Sequence, residues 1–353
     1  MNSDPLNSDP THAEPKSHAS AETYVAAIAA GDRAMLARAI TLVESRNPAH
    51  RKLAQEVLEA AAELKRTGLR VGITGVPGVG KSTTIDQLGI NLIAEGQRVA
   101  VLAVDPTSQR SGGSILGDKT RMARLSLSPD AYIRPSPTSG TLGGVTRKTR
   151  ETMALVEAAG FDVIIVETVG VGQSETAVAG MVDIFVALLL PGGGDELQGI
   201  KKGVIELADI VAINKADGDN VKRAERTAAN YQTALGLLSP RIPEWQPPVL
   251  TISGQDNLGL DQLWALIVQH QALLTRLGLR ESIRAEQASA WLHEMVRDEL
   301  WTLFLRSADG RKALTACDAA VRAGEMTPSR AVDQILAAIG LGARETSADG
   351  DRA

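Results

Sequence analysis

A glycine-rich run at residues 75–82 has the residue types and spacing that most directly suggest chemistry. It reads Gly-Val-Pro-Gly-Val-Gly-Lys-Ser and fits the pattern GxxxxGK[ST] at every fixed position. The glycines allow backbone N–H groups to turn toward phosphate oxygens, and a following helix adds partial positive charge at its N-terminus. The Lys81 ammonium suits the β- and γ-phosphates, and the Ser82 hydroxyl suits Mg²⁺. The run therefore predicts a nucleotide-phosphate site.

The segments on either side of this run separate a phosphate-binding loop from an ordinary glycine-rich turn. Residues 69–74 form a short apolar run typical of a strand, and residues 83–94 carry apolar side chains at helical spacing. Strand, loop and helix follow in the order that phosphate binding requires. The residues expected to contact phosphates are Gly75, Val76, Pro77, Gly78, Val79, Gly80, Lys81, Ser82 and Thr83.

A second motif indicates which base the nucleotide carries. The strand-like run 209–213 ends in Asn214-Lys215-Ala216-Asp217, which is the NKxD signature of guanine recognition. The Asp217 carboxylate can accept hydrogen bonds from both N1–H and N2–H of guanine, whereas adenine presents neither donor there. A polar site of this kind rejects the wrong base strongly, because its groups would be left unpaired. Although four residues alone could be a surface turn, their position after a strand and a phosphate loop predicts GTP and GDP as ligands.

A further loop is placed to contact the base from another side. Ser253-Gly254-Gln255 follows the apolar run 249–252, where GTPases carry their second base-contacting loop. It departs from the usual Ser-Ala-Lys sequence. We therefore expect only a backbone contact to guanine from this loop.

Three acidic residues are candidates for a Mg²⁺ site. Asp105 follows an apolar strand, Asp118 lies in a glycine-rich loop, and Glu167 ends another apolar strand. Gly170 follows Glu167 at the spacing of the DxxG motif of most GTPases, with Glu in place of Asp. Carboxylates at strand ends beside a triphosphate, together with the Ser82 hydroxyl, are the ligands that Mg²⁺ prefers. The alternative for each acid is a helix cap or a turn.

The alternation of elements predicts an α/β fold of the P-loop NTPase type. Strand-like segments alternate with helical patterns, which implies a mainly parallel sheet with helices on both faces and the nucleotide at the carboxyl ends of the strands. The predicted strands are residues 70–74, 98–104, 131–134, 162–167, 183–190, 209–213 and 248–252.

Composition shifts divide the chain around this core. The strand signals stop at Ile283, and the helical spacing that follows leaves two possibilities open: packing on the chain's own sheet, or use as a dimer arm. The predicted divisions are a disordered tail at 1–20, a helical N-terminal extension at 21–67, a nucleotide-binding domain at 68–280, a helical C-terminal segment at 281–340 and a disordered tail at 341–353.

The overall composition is that of a cytoplasmic enzyme. The chain has 353 residues, of which 44% are hydrophobic and 22% charged, enough for a full core. The net charge of −5 gives no support for nucleic-acid binding, and the single Cys317 excludes a disulfide framework. The N-terminus lacks a signal region, and no run reaches the roughly 20 apolar residues of a membrane span. We therefore expect neither nucleic acid nor membrane as a partner.

Taken together, the motifs resemble one known family. GVPGVGKST, AVDPTS, GDKTRM, ETVGVGQSE, PGGGDELQGIKKG and NKAD occur in this order. This arrangement is similar to the MeaB/ArgK/MMAA family of P-loop GTPases, the G-protein chaperones of adenosylcobalamin-dependent methylmalonyl-CoA mutase. The resemblance extends from about residue 20 to 340.

The resemblance implies roles for matching positions. It implies Mg²⁺ held around Ser82, Asp105, Asp118 and Glu167, with GTP or GDP as the nucleotide. The segment 192–203, which contains Lys201, resembles an extra switch that signals nucleotide state to the mutase. Lys81, Glu167 and Lys201 are therefore the candidate catalytic residues, with Lys201 acting in mutase-stimulated rather than basal hydrolysis. The C-terminal helices resemble a homodimerisation arm, and the partner would be methylmalonyl-CoA mutase or a sister acyl-CoA mutase.

Two other functions remain as alternatives. A metallochaperone GTPase for metal-centre assembly would need soft or imidazole ligands, but the chain has one Cys and five unclustered His. A small-molecule kinase linked to amino-acid transport would need an acceptor site, and the guanine motif argues against ordinary ATP use. No residue is identified as positioning the attacking water, although Gln173 is close in sequence to Gly170. We therefore expect slow intrinsic hydrolysis that a partner accelerates.

Overall fold

The computed structural model describes residues 19–45, 47–104, 121–135, 142–168, 174–192 and 202–341. The chain divides into two compact units, Met1–Leu277 and Gly278–Ala353. The helices of the first unit are α1 (Ala21–Ala29), α2 (Arg33–Glu44), α3 (Pro48–Glu63), α4 (Lys81–Ala94), α5 (Ala123–Leu127), α6 (Leu142–Ala158), α7 (Ser174–Ala179), α8 (Lys202–Glu206), α9 (Val221–Leu235) and α10 (Leu260–Arg276). Those of the second unit are α11 (Leu279–Arg306), α12 (Ala308–Arg322) and α13 (Pro328–Ala338).

A single seven-stranded sheet forms the centre of the first unit. Its strands are β1 (Leu69–Gly75), β2 (Val99–Val104), β3 (Ala131–Arg134), β4 (Val163–Thr168), β5 (Ile184–Leu189), β6 (Ile210–Ile213) and β7 (Val249–Thr251). The strand order is β3-β2-β4-β1-β5-β6-β7, and every pairing is parallel. The predicted α/β fold is confirmed, and each strand end lies within one residue of its predicted position.

Helices cover both faces of this sheet, because alternate side chains of a buried parallel strand point to opposite sides. On one face, α1–α3, α6 and α7 pack on β2, β4 and β5, with Ile28, Ile40 and Phe185 fully buried between them. Farther along the same face, α9 packs on β6. The opposite face is covered by α4, α5 and α10, which enclose Ile73 and Ile165.

The helical N-terminal extension is fixed by helix caps. The Asp32 side chain accepts hydrogen bonds from the backbone N–H groups of Ala34 and Met35 at the start of α2. Asn47 caps α3 in the same way, and Pro48 occupies the first position of that helix. These capping residues set where each helix begins, so that the apolar side of each helix packs toward the sheet.

The amino end of the sheet carries a row of aspartates. Asp162, Asp183 and Asp209 each come directly before a strand. Each carboxylate accepts a hydrogen bond from a backbone N–H at or just before the start of a neighbouring strand, and so satisfies that backbone donor. The donors are the backbone N–H groups of Arg98, Arg70 and Phe185, at 2.8, 3.0 and 2.8 Å.

The second unit is entirely helical where the structure describes it. One side of α11 exposes Leu292, Val296, Leu300 and Leu303, each about half accessible to solvent. These residues recur at helical spacing and therefore form one apolar stripe. No helix in the described parts of the chain combines the length and apolar character needed to cross a membrane.

Candidate nucleotide-binding site

The glycine-rich run forms the connection between β1 and α4, as a phosphate-binding loop requires. Gly80 precedes the helix in the left-handed conformation, with φ of 96°. A Cβ atom at this position would lie 2.6 Å from Nδ2 of Asn214. Both the backbone angle and the close approach therefore demand glycine here. The first turn of α4 begins with Lys81 and Ser82, so free N–H groups of the helix end face the loop.

The Lys81 side chain turns back over this loop. Its Nζ donates hydrogen bonds to the carbonyl oxygens of Gly75 and Val76, at 2.7 and 3.2 Å. The residue is only 8% exposed. Burial lowers the pKa of Lys81, while the carboxylates of Glu167 and Glu175 act in the opposite direction. An ammonium held among backbone carbonyls, on the loop that would cradle phosphates, is suited to binding anionic oxygen.

The structure brings Ser82 and Glu167 together. The Ser82 hydroxyl donates a hydrogen bond of 3.1 Å to Oε1 of Glu167. The sheet causes this contact, because β1 and β4 are neighbours and Ile73 is in register with Glu167. A hydroxyl and a carboxylate at this spacing are hard oxygen ligands that fit Mg²⁺. The other two predicted ligands, Asp105 and Asp118, lie outside the described residues.

Asn214 connects the 75–82 loop to the Ser253–Gln255 loop. Its Nδ2 donates to the carbonyl of Val79 at 2.7 Å, and its Oδ1 accepts from the backbone N–H of Gly254 at 3.1 Å. The side chain is almost fully buried. Because both the oxygen and the nitrogen of its amide are hydrogen-bonded, Asn214 fixes the distance between the two loops. The next residue, Lys215, is exposed and has a φ of 60°.

Asp217 is oriented by a serine from the neighbouring loop. The Ser253 hydroxyl donates a hydrogen bond of 2.6 Å to Oδ2 of Asp217 and accepts one from the backbone N–H of Asp256 at 3.1 Å. The sequence predicts only a backbone contact to guanine from this loop, so the side-chain hydrogen bond of Ser253 is a feature that the sequence did not predict. Gln255 is exposed. A carboxylate held from one side is prepared to accept the paired N–H donors of guanine from another.

Sequence reasoning missed one contact of this site, that of Thr84 with Gly254. A Cβ atom on Gly254 would lie 2.6 Å from Oγ1 and 2.8 Å from Cα of Thr84. The base loop therefore lies directly on the first turn of α4, and only glycine permits this approach. The sole signal in the sequence is a pair of threonines after Ser82, which does not reveal a partner 170 residues away (254 − 84).

The start of the predicted extra switch is also anchored. The backbone N–H of Gly192 donates to Oγ1 of Thr227 on α9 at 2.9 Å. Gly192 has a φ of 92°, and a Cβ atom there would lie 1.7 Å from Nε of Arg223. The segment 193–201, with Lys201, lies outside the described residues.

The fold and these contacts define the class of the protein as a P-loop GTPase, and comparison with known proteins identifies the family. Residues 36–309 match the family model described as methylmalonyl Co-A mutase-associated GTPase MeaB. The chain therefore belongs to the MeaB family.

Known relatives are similar over most of their length. A putative GTPase of Caulobacter vibrioides is 59% identical over 314 residues, which cover 89% of this chain and 96% of the relative. A Mus musculus protein named methylmalonic aciduria type A homolog, mitochondrial, is 47% identical and covers 87% of this chain and 77% of its own. A crystal structure titled LAO/AO transport system kinase is 38% identical with a TM-score of 0.75, and covers 91% of this chain and 97% of its own.

Proposed function

We propose that this GTPase is a chaperone of an adenosylcobalamin-dependent acyl-CoA mutase, with methylmalonyl-CoA mutase as the client, and that its nucleotide state controls cofactor loading or protection. The observation that carries this proposal is the family match over residues 36–309, whose description names association with that mutase. The chain also contains the segments ETVGVGQSE and PGGGDELQGIKKG, which have no counterpart in the general requirements of GTP binding. Switch segments of this kind convert nucleotide state into a binding surface.

We propose that the nucleotide lies across the loops at the carboxyl end of the sheet. Residues 75–83 would contact the phosphates, Lys81 would supply positive charge to them, and Asn214, Lys215 and Asp217 with the Ser253–Gln255 loop would hold guanine. The 2.6 Å contact between Ser253 and Asp217 supports this assignment of the base. A carboxylate that is already oriented loses less freedom when the base binds, which favours guanine over adenine.

Mg²⁺ is the metal that the site would hold, with Ser82, Asp105, Asp118 and Glu167 as its ligands or their supports. When bound, the ion would neutralise charge on the β- and γ-phosphates. The contact between the Ser82 hydroxyl and the Glu167 carboxylate supports the proposal for those two residues. Lys81 would add charge stabilisation as the γ-phosphate departs, because its ammonium is held on the loop by two carbonyl groups.

We also propose that the protein acts as a homodimer in the cytoplasm, through its C-terminal helices. The apolar stripe of Leu292, Val296, Leu300 and Leu303 on α11 supports this, since exposed apolar stripes at helical spacing are typical of helix-to-helix interfaces.

A kinase acting on a small molecule is the second candidate, because a relative 38% identical carries a transport-kinase title. Phosphate release separates the two functions. A GTPase releases inorganic phosphate without an acceptor, whereas a kinase transfers it to one, such as an amino acid. A metal-delivering GTPase has less support, since the described residues contain no group of three or more His, Cys, Asp or Glu side chains that could hold a metal.

The chaperone proposal is tested by adding purified methylmalonyl-CoA mutase to the full-length protein. We expect the mutase to be retained more strongly by the protein bound to a non-hydrolysable GTP analogue than by the GDP form, or the reverse, and to accelerate hydrolysis. Linkage requires that a client which prefers one nucleotide state also changes nucleotide affinity. Equal retention in both states, together with an unchanged hydrolysis rate, would remove this mutase as the client.

A further inference from the structure

Two asparagines outside the proposed nucleotide contacts connect the loop 253–258 to helix α4. Nδ2 of Asn91, on α4, donates a hydrogen bond of 2.7 Å to Oδ1 of Asn257 in the loop. A longer hydrogen bond of 3.4 Å runs from Nδ2 of Asn257 to Oδ1 of Asn91. Asn91 is half-buried and Asn257 is exposed. The two residues are 166 positions apart in the chain, so the fold and not the local sequence brings them together.

The orientation of the Asn91 amide is set from within its own helix. Nε2 of Gln87 donates to Oδ1 of Asn91 at 2.8 Å, and Gln87 is only 8% exposed. Because this donor faces the oxygen of Asn91, the amide nitrogen of Asn91 is turned toward Asn257. Thr84, Gln87 and Asn91 recur at helical spacing and lie on one face of α4. The loop therefore meets this face at two points, at Thr84 through Gly254 and at Asn91 through Asn257.

The loop that carries Asn257 is closed by its own backbone. The N–H of Ser253 donates to the carbonyl oxygen of Leu258 at 2.9 Å, and the N–H of Leu258 donates to the carbonyl oxygen of Ser253 at 3.1 Å. Asn257 comes directly before this closure and has a φ of 55°, a left-handed conformation that asparagine adopts more readily than most residues. Its side chain thus fixes one end of a loop whose other end is Ser253.

Ser253 connects this loop to the carboxylate proposed to accept guanine. Its hydroxyl donates the hydrogen bond of 2.6 Å to Oδ2 of Asp217 and accepts one from the backbone N–H of Asp256 inside the loop. A displacement of the loop would therefore displace the hydroxyl that orients Asp217. A continuous series of contacts leads from Asn91 through Asn257 and the loop to the Asp217 carboxylate.

We propose that Asn257, held by Asn91, is a positioning residue that sets the selectivity of the site for guanine. The inference rests on the proposed contact of Asp217 with the N1–H and N2–H donors of guanine. A carboxylate that accepts two hydrogen bonds at once must be oriented more closely than one that accepts a single hydrogen bond. Freeing the loop from α4 should therefore weaken the contact with the second donor most.

The test compares the affinities of the full-length protein for GDP and for inosine 5′-diphosphate by calorimetry. Inosine keeps the N1–H of guanine but lacks its N2 amino group, so the ratio of the two affinities measures the second contact. Asn257→Gly removes the side chain and still permits the positive φ, and Asn91→Ala removes its partner. We expect either change to lower the ratio roughly three- to fivefold, within the range for one neutral hydrogen bond. The double variant should lower it no further, because both changes break the same contact.

Two further variants separate this role from a general effect on the protein. Asn257→Asp keeps the oxygen that accepts from Asn91 and tolerates the left-handed backbone. Its added charge acts on both diphosphates alike, so the affinity ratio should return to that of the unaltered protein. Asn230→Ala, the same change as Asn91→Ala at an exposed asparagine on α9, should leave the ratio unchanged.

An unchanged ratio in both Asn257→Gly and Asn91→Ala would overturn the inference, even if the affinities for both nucleotides fell together. That result would make the two asparagines supports of the fold rather than determinants of selectivity. A lower ratio in Asn257→Gly alone would overturn the role of Asn91.

The unaltered protein separates failure of this inference from failure of the proposed guanine contact. If it bound GDP and inosine 5′-diphosphate equally, the proposed double contact of Asp217 would be wrong, and this inference with it. If it preferred GDP and the variants kept that preference, only this inference would be wrong. All of these measurements omit the mutase, so they are independent of the chaperone proposal.

Discussion

The side chains of Asp209 and His270 lie 3.9 Å apart, and both residues are almost fully buried. Burial raises the pKa of Asp209 to about 6 and lowers the pKa of His270 to about 4. Near neutral pH, Asp209 is therefore ionised while His270 is neutral, so the two side chains do not form an ion pair there. The Asp209 carboxylate relies instead on Arg241, at 3.3 Å, and on the backbone N–H of Phe185. Asp183 raises the pKa of His270, but it does not outweigh burial and Arg241.

The first prediction concerns how these two residues change stability with pH. The folded-state pKa of His270 lies below its ordinary value of 6.5, so the unfolded chain takes up a proton first and stability is lost as the pH falls from 6.5 toward 4. His270→Leu removes that loss. Urea unfolding measures the difference in stability between this variant and the unaltered protein. As the pH falls from about 7.5 to about 4.5, that difference should move in favour of the variant by about 2 to 3 kcal/mol.

Asp209→Asn is the matched control, because its sign is opposite. The pKa of Asp209 lies above its ordinary value of 3.8, so the folded protein takes up a proton first and gains stability as the pH falls through 6. The asparagine variant lacks this gain and should become less stable than the unaltered protein on acidification. If the stability of both variants changed with pH in the same way, His270 and Asp209 would not have these shifted pKa values.

The second prediction concerns the base. Asp217→Asn should weaken GDP binding by about 2 to 4 kcal/mol, because a charge-assisted double contact is lost. Ser253→Ala should cost less, about 1 kcal/mol, since it removes only the hydrogen bond that orients Asp217. Calorimetry with GDP measures the loss of affinity in both variants, and calorimetry with GTP and with ATP measures which base the unaltered protein prefers. Binding of ATP as tight as that of GTP by the unaltered protein would contradict the guanine assignment.

The third prediction concerns catalysis. Lys81→Ala should abolish hydrolysis and strongly weaken nucleotide binding, because the lysine supplies charge to both the ground and transition states. Glu167→Ala should raise the Mg²⁺ concentration needed for half-maximal turnover while changing GDP affinity little. The measurement is a Mg²⁺ titration of GTP hydrolysis. An unaltered titration curve and turnover in Glu167→Ala would exclude this residue from the metal site.

The fourth prediction concerns the oligomeric state. The family resemblance implies dimerisation through the C-terminal helices, where we expect Trp291, Met295 and Leu303 to form the interface. The structure adds Val296 and Leu300 as exposed residues of the same helix. Placing charges in this stripe with Val296→Glu and Leu300→Glu should produce a monomer in light scattering, as should truncation near residue 279. Both proteins should still bind GDP.

Leu127→Glu is the control for this experiment, since Leu127 is 86% exposed and lies in the other unit. It should leave the oligomeric state unchanged. A monomeric full-length protein at tens of micromolar, about the range where stable dimers persist, would end the dimer proposal.

The fifth prediction concerns communication with the client. Lys201→Ala should leave basal GTP hydrolysis nearly intact but lose stimulation by the mutase. Reciprocal linkage then requires that the mutase no longer distinguish the GTP and GDP forms. Lys222→Ala, an exposed lysine change on α9, is the control. Full stimulation of the Lys201→Ala protein would show that this lysine does not carry the signal.

The sequence by itself determined the nucleotide-binding fold and the elements that build it. The runs of buried apolar residues predict the seven strands to within one residue at each end, because a strand that is covered on both faces must be apolar throughout. The phosphate loop and the NKAD motif could also be found from sequence, since each is a local pattern set by backbone geometry and a few side chains.

Only the tertiary structure decided which distant side chains meet. Ser82 reaches Glu167 because β1 and β4 are neighbours in the sheet, and Ser253 orients Asp217 because two separate loops meet at its carboxyl end. The near-complete burial of Glu175 likewise depends on how α7 packs on two strands. Strand order and helix packing are cooperative properties of the whole core, so no local pattern in the sequence specifies these contacts.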